Sequence, residues 1–424
     1  GPGGRQVVAA TANQGQPAMT LTNLWTRERV VGYATLLAVG YLGLVVVLNL
    51  IAGQQVRDRT GVPATDYVGF LSGALVLAEG PAEAVFDTNR LTAAQHRTLE
   101  SRYGDDLTPE LLDSVPLFYW RYPPPIFFLV RPLAELPALP GYYLWGFALL
   151  VPLLLATTRI LPGAAGVALA LAMPASFLNF MFGQNGALTA GLIGLGLALA
   201  ERRPVLAGIA VGLLCYKPQF AVLFPLIFLI SGNGRAFLSA AATVLAVTVL
   251  SVIVFGIEPW LAFLRSASQT SSHLDEGNVA WTVMPTTFAA LRLWLPAEPA
   301  HLGQAVVSIG AVGVVAWLWI RDRRSPGRKA VRNAAFCLAT LLVMPFAFLY
   351  DLAILTPALL WLGRDLVDHG ARRRDWLVVV ATALLPFYAG VVAKFTGLQV
   401  SPLVLVACLS LAAERTIRSA SRNY

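Results

Sequence analysis

Residues 236–256 read AFLSAAATVLAVTVLSVIVFG, twenty-one positions without a charged side chain, directly after Arg235. As a helix rising 1.5 Å per residue, this run is about 31 Å long and matches the hydrocarbon thickness of a bilayer. Its apolar residues are continuous and do not alternate with period two, so it reads as a membrane helix and not as a barrel strand. Comparable apolar runs recur along nearly the whole chain. They place spans near 30–52, 141–158, 163–181, 185–200, 204–216, 219–231, 236–256, 303–320, 331–349, 352–363, 376–393 and 398–413, twelve crossings in all.

Composition agrees with that reading. The chain has 424 residues, 57% hydrophobic and 13% charged, and a mean hydropathy of +0.66, outside the balance of a soluble domain. The expected class is an all-α polytopic membrane protein. A formal charge of +8 raises the question of nucleic acid. The cations, however, sit in short groups between apolar runs, as in Arg321-Asp322-Arg323-Arg324 and Arg372-Arg373-Arg374, where they act as topology signals, and no nucleic-acid partner is expected. Cys215, Cys337 and Cys408 lie in apolar stretches at spacings that fit neither a metal nor a disulfide framework, and read as small core residues.

Residues 1–18 carry no apolar period and read as a tag remnant or linker, leaving 19–424 as a single domain with no visible repeat. Arg27 and Arg29 precede the first span and assign the amino terminus to the cytoplasm. With twelve crossings, Arg159, Arg202-Arg203, Arg235, Arg321 to Arg324, Arg364 to Arg374 and Arg415 to Arg422 all share that side, and both termini are cytoplasmic. Residues 122–136 open with three prolines and are short. They read as an interfacial or re-entrant piece, because counting them as a span would put Arg202-Arg203 and Arg235 outside. The outside face then collects the loop of about 53–120, Gln184-Asn185, Lys217, a polar segment of about 257–300, Tyr350-Asp351 and Lys394. Within the first loop, helical patterns over Asp66 to Glu79 and Thr92 to Arg102 are expected to lie along the membrane surface.

Several of these outside residues carry chemistry, each beside a simpler role. Asp66, in Ala64-Thr65-Asp66-Tyr67-Val68, either caps the helix that follows or accepts a proton from a bound hydroxyl, and the two are compatible. Lys217, in Lys217-Pro218-Gln219, either snorkels from a helical hairpin or holds a phosphate or other substrate group. Arg121 precedes the rigid Tyr122-Pro123-Pro124-Pro125 turn, which can aim a guanidinium fork at phosphate or simply anchor the interface. Gln184 and Asn185, after Gly183, offer the neutral donors and acceptors that sugar hydroxyls need, or satisfy backbone at a helix break. His273 is either a solvated loop histidine or a partner for a phosphate or a catalytic acid. Tyr350-Asp351 is a capped turn or a pocket wall.

No nucleotide-binding glycine loop, nucleophile elbow or dinucleotide fingerprint occurs, and His96, His301 and His369 show no ligand spacing. An outside Asp-x-Asp pair of the kind that holds a nucleotide-sugar metal is missing as well. Together these point to a donor carried by lipid, with neither metal nor cofactor.

Thr65-Asp66-Tyr67, Tyr122-Pro123-Pro124, Gly183-Gln184-Asn185, Lys217-Pro218-Gln219 and the stretch from Pro345 to Tyr350-Asp351 occur in that order over most of residues 30–351. In this the chain resembles glycosyltransferase family 87, the polyprenyl-phosphate-dependent mannosyltransferases of the GT-C membrane fold. The resemblance implies a GT-C-type bundle of about twelve transmembrane helices, juxtamembrane helices in the first outside loop, and an acid there, Asp66, as catalytic base. It also implies a polyprenyl-phosphate sugar as donor, mannose by preference.

The combined expectation is inverting transfer of a hexose to an acceptor hydroxyl on a glycolipid or glycan, at the extracytoplasmic face of a bacterial plasma membrane. Lys217, Arg121 and His273 are candidates for the donor phosphate. Tyr67, Tyr122, Gln184, Asn185, Gln219, Tyr350 and Asp351 are candidates for sugar or acceptor, and membrane lipids surround the prenyl tail. A lipid or small-solute transporter is the alternative from another class, since broken helices also suit transport sites. The absence of a repeat and the one-sided polar motifs weigh against it. A noncatalytic scaffold would leave the intramembrane Lys217 unexplained.

Overall fold

The structure, a computed structural model, describes residues 27–55, 65–103, 118–275, 280–324 and 327–420. Among these residues every regular element is helical and no strand occurs. Five helices are long and apolar enough to cross a membrane: the Glu28–Val47 part of Arg27–Gln55, then Ala138–Ile160, Gly234–Phe255, Ala297–Arg324 and Arg373–Thr396. Their large apolar side chains, such as Leu238, Leu245 and Ile253, are turned outward, as they would be toward hydrocarbon. The chain is an all-α polytopic membrane protein.

Helix length does not support twelve separate crossings. A sixth span arises only if Ala164–Ala172 and Pro174–Phe182 count as one, bent by 65°. Pro174 explains the bend: it has no amide donor, and Met173 before it is extended at φ −66°, ψ 129°. Gly186–Leu199 has 14 residues, and Lys329–Val343 and Leu355–His369 have 15 each. At 1.5 Å per residue these reach only about 21–23 Å, short of the hydrocarbon thickness. Apolar periodicity finds such helices but does not reveal where polar turns cut them short.

The short helices form the buried centre. Lys329–Val343 and Leu355–His369 are buried over most of their length and pack on each other, and Gly186–Leu199 packs against Ala138–Ile160 and Leu355–His369. Residues 124–135 form two 3-10 turns around a four-residue helix, Phe127–Val130. This piece buries Ile126, Phe127, Val130 and Leu133 without length enough to span. The segment after residue 257, expected as a polar loop, instead begins with the helix Glu258–Asp275. Its apolar face docks Phe263 near Phe86, the rings tilted by 55° with centroids 6.3 Å apart. The serines in its sequence, Ser266, Ser268, Ser271 and Ser272, are what made it read as loop.

The basic groups gather at one end, as the charge pattern requires. Arg415 is buried and contacts Asp365 at 2.5 Å and Asp375 at 3.4 Å. Arg328 reaches Asp365 at 3.3 Å, Arg364 donates to the Ile160 carbonyl at 2.8 Å, and Arg323 donates to the Ile230 carbonyl at 2.9 Å. Helix ends from distant parts of the chain are thereby tied into one charged rim.

The opposite end is organised around the first-loop helices, Thr65–Glu79 and Thr88–Tyr103. A Cβ at Gly69 would lie 2.3 Å from the Phe118 ring, and one at Gly73 would lie 2.3 Å from the Trp120 ring. These two glycines form the seat on which residues 118–122 rest. Gly183 ends Pro174–Phe182 in the left-handed region, φ +68°, and a Cβ there would come within 2.5 Å of the Tyr67 Cβ. Gly183→Ala combines backbone strain with that clash and is expected to destabilise the protein by about 1–3 kcal/mol. A thermal melt in detergent should show a lowered midpoint; an unchanged one would mean that the Thr65–Glu79 helix is not held against this turn.

Candidate active site

Asp66 lies in the first turn of Thr65–Glu79, where a carboxylate is favoured by the unpaired amides and dipole of a helix start. The Gly183 turn beneath the helix sets Gln184 against it, and the Gln184 side chain hydrogen-bonds the Asp66 carboxyl. Gln184 Oε1 in turn accepts from the Asn185 amide at 3.3 Å, which fixes the orientation of the Gln184 side chain. Burial pushes the Asp66 carboxyl above the ordinary carboxylate range, and the bond from Gln184 only partly opposes this. The residue is thus a base of raised proton affinity, held by a neutral donor.

Arg121 and Tyr122 arrive from the glycine-seated segment. The Trp120 indole donates to the Tyr122 carbonyl at 3.1 Å, fixing the chain ahead of the prolines. The Arg121 guanidinium stacks over Phe346 at 5.2 Å and Tyr119 at 5.7 Å. Among the described residues it forms no ion pair with a carboxylate. Burial lowers its pKa, with smaller opposing effects from Tyr350, Tyr119 and Tyr122, but a guanidinium remains charged in proteins. An uncompensated, directional cation therefore stands near Tyr350, which is also in electrostatic reach of Asp66, Tyr122 and Asp351.

Lys217 has a different environment from the one expected. Its ammonium makes a 2.8 Å ion pair with Asp351 Oδ1, both side chains being less than a tenth exposed. The rings of Tyr350, Phe220 and Tyr122 surround it at 5.1, 5.5 and 5.8 Å. Asp351 Oδ2 accepts from the Phe348 amide at 3.0 Å, so Asp351 both caps the 3-10 turn Leu349–Ile354 and neutralises the lysine. Of the two readings of Tyr350-Asp351, the capped turn is the one the local geometry shows. The lysine is compensated, which leaves Arg121 as the phosphate candidate with spare charge.

The structure thus brings together Asp66, Arg121, Tyr122, Gln184, Asn185, Lys217, Tyr350 and Asp351, which are spread over 285 positions of sequence (66 to 351). It separates the others. Tyr67 is buried in the wall, its ring edge-on to Tyr142 at 5.6 Å and its hydroxyl packed against Gly141, because neighbouring residues in a helix face different ways. Gln219 is exposed on the turn Pro218–Ala221. His273 falls in the last turn of Glu258–Asp275 and not in a loop, and its side chain lies outside the described residues.

Two asparagines matter more than their sequence neighbourhoods indicate. Asn179, inside the otherwise apolar Pro174–Phe182 helix, donates to the Tyr350 carbonyl at 2.5 Å and accepts from the Ala187 amide at 3.0 Å. It welds three chain segments at the site, and a lone asparagine among Phe and Leu was the signal that could have found it. Asn185 is fully buried, and its amide nitrogen and oxygen make no hydrogen bond of normal geometry among the described residues, although the Tyr122 hydroxyl is close to it. A buried amide left open in this way commonly marks function. Among the described residues no group of three or more His, Cys, Asp and Glu could hold a metal.

Residues 120–345, just over half of the chain, match the description glycosyltransferase family 87. The chain belongs to glycosyltransferase family 87. It is therefore a glycosyltransferase, and the cluster is its candidate active site. The matched stretch contains Arg121, Tyr122, Gln184, Asn185 and Lys217, whereas Asp66 lies before it and Tyr350-Asp351 after it. No curated protein and no solved structure matches the chain.

Removing one partner of the Lys217–Asp351 pair strands a buried charge. Lys217→Met or Asp351→Leu alone is expected to destabilise by about 3–5 kcal/mol, and the double variant to recover most of that loss. Melting curves of the three proteins test this. Equal melting points for wild type and both single variants would show that the pair does not hold the two breaks together.

Proposed function

We propose that this glycosyltransferase moves a hexose, mannose by preference, from a polyprenyl monophosphate to a hydroxyl of a glycolipid or glycan acceptor, with inversion at the anomeric carbon. The observation that carries the proposal is a carboxyl of raised proton affinity, Asp66, in one cluster with an Arg121 that has no acidic partner among the described residues, both being in electrostatic reach of Tyr350 and Tyr122. As the acceptor oxygen bonds to the anomeric carbon, Asp66 takes its proton. The bond from that carbon to the phosphate oxygen breaks, and its electron pair leaves on the phosphate. Arg121 faces the charge that develops there, a stabilisation that ranks among the largest contributions an active site makes. No metal or other cofactor has a part in this scheme.

Gln184 holds the base, Asn185 and Tyr122 offer polar groups to sugar hydroxyls, and Lys217 with Asp351 and Tyr350 forms the rigid back of the site. The prenyl chain would lie along the apolar helices beneath. The positive-inside tendency puts the arginine-rich rim in the cytoplasm and the site at the extracytoplasmic face of a bacterial plasma membrane.

Transfer from polyprenyl-phosphomannose in nanodiscs tests the scheme. Asp66→Asn should lower turnover roughly 10²–10⁴-fold, the usual range for losing a general base. Unimpaired turnover would remove Asp66 from the chemistry, and transfer from a nucleotide sugar alone would overturn the lipid-carried donor.

The raised Asp66 pKa also fixes the pH dependence. The base form appears at higher pH than for an exposed aspartate, so the acid limb of the rate profile should be displaced upward. In the unfolded chain this carboxyl ionises first, so its contribution to stability is intact below the ordinary carboxylate pKa. That contribution is lost as pH rises through the folded value. Asp66→Asn should accordingly melt above wild type at neutral pH, with the gap closing in acid. A gap that widened in acid would contradict a raised pKa.

A further inference from the structure

At the end of the bundle opposite Asp66 the helices enclose a second space. Gly186–Leu199 and Ala138–Ile160 have residues of the Asp66 end near their starts, and their last turns, with the first turns of Lys329–Val343, border a cavity of about 550 Å³. That volume lies within the range that holds small organic ligands.

Six cations line this cavity, Arg159, Arg202, Arg203, Lys329, Arg332 and Arg364, against one acid, Glu201. Six minus one leaves an excess of five positive charges. Lys329 and Arg332 share Glu201, Arg332 also binds Asp322, and Arg364 reaches Asp368 at 3.5 Å. Arg159, Arg202 and Arg203 form no ion pair with any described carboxylate. Burial raises the Glu201 pKa, but the hydrogen bonds and charges of Lys329 and Arg332 outweigh it and the net shift is downward, so this acid is ionised and the charge count holds at neutral pH.

One further group in the cavity wall is unsatisfied: Asn333, only 7% exposed, lines the cavity and makes no side-chain hydrogen bond to a described residue. Below the cations the wall is apolar, formed by Ile160, Leu197 and Trp361. Guanidinium forks suit the tetrahedral oxygens of phosphate, and an apolar wall beneath them suits a hydrocarbon attached to it.

We propose that this cavity binds a phosphate group, presented as the headgroup of an anionic membrane lipid from the leaflet opposite the active site. Scattered topology-setting arginines need no shared cavity, whereas these surround one and leave the Asn333 amide without a partner at its wall. The proposal stands apart from the chemistry assigned to Asp66.

Native mass spectrometry of the full chain in detergent, with phosphatidic acid, phosphatidylcholine or inorganic phosphate added, tests it. The comparison protein is Arg159→Gln/Arg202→Gln/Arg203→Gln, whose changed side chains are exposed and outside the active site. Wild type should retain phosphatidic acid at least tenfold better than phosphatidylcholine. At about fivefold per basic side chain near an anionic headgroup, the triple variant should bind it on the order of 100-fold more weakly, with an unchanged melting point in phosphatidylcholine. Should the triple variant fold poorly, Arg202→Gln/Arg203→Gln serves, with an expected loss of roughly 25-fold on the same scale. Equal retention of both lipids by wild type, or equal retention of phosphatidic acid by wild type and variant, would overturn the proposal. Tight binding of inorganic phosphate without preference for the lipid would overturn the lipid assignment and leave a site for a free anion.

Discussion

A hydrocarbon interior offers no hydrogen-bond partner to a broken helix, so every break in a membrane bundle must be satisfied by the protein itself. Three breaks in this chain, at Gly183–Asn185, at Lys217 and at Phe346–Tyr350, meet at one end and satisfy one another. The Tyr142 hydroxyl and the Trp145 indole donate to the Phe180 and Gly183 carbonyls, both at 2.8 Å. Asn179 joins the first break to the third, and the Lys217–Asp351 pair joins the second to the third. The polar groups that close the breaks are those that make a site.

This explains why the chain can hold ionisable groups among apolar helices. A lone ammonium at the depth of Lys217 would be costly to bury, but an opposite charge at hydrogen-bond distance and three ring faces replace its water. Asp351 is held on its other side by a backbone amide, so the pair is rigid. Asp66 is treated differently: a neutral amide holds it, no cation neutralises it, and its proton affinity rises. Two aspartates in one cluster are thereby set apart by their partners, one neutralised in an ion pair and one of raised proton affinity.

The two ends of the molecule differ in charge logic. One presents two cations near an acid, Lys217 paired with Asp351 and Arg121 without an acidic partner among the described residues. The other collects arginines and lysines from six separate stretches into a rim that includes buried Arg415 and a cavity with excess positive charge. The same short helices connect the two, with roughly 20 Å between their ends, so the bundle is thin at its buried centre.

Much was legible in residue order. Apolar runs without charge determined an all-helical membrane protein, because only helices or closed barrels satisfy a backbone in lipid. Arginine spacing determined that one rim is basic, and the short motifs around Asp66, Tyr122, Gln184, Lys217 and Tyr350-Asp351 marked the residues that converge. What sequence could not give was partnership. Lys217 reads as a free cation until Asp351, 134 positions away, is seen beside it; Tyr67 reads like its neighbour Asp66 until helical rotation turns it into the wall; and the apparent polar loop after residue 257 is a helix whose apolar face docks Phe263 near Phe86. The number of full crossings likewise depends on where polar turns shorten helices. Hydropathy is a property of each segment by itself, whereas charge compensation, side-chain direction and helix termination are set by what lies across the fold.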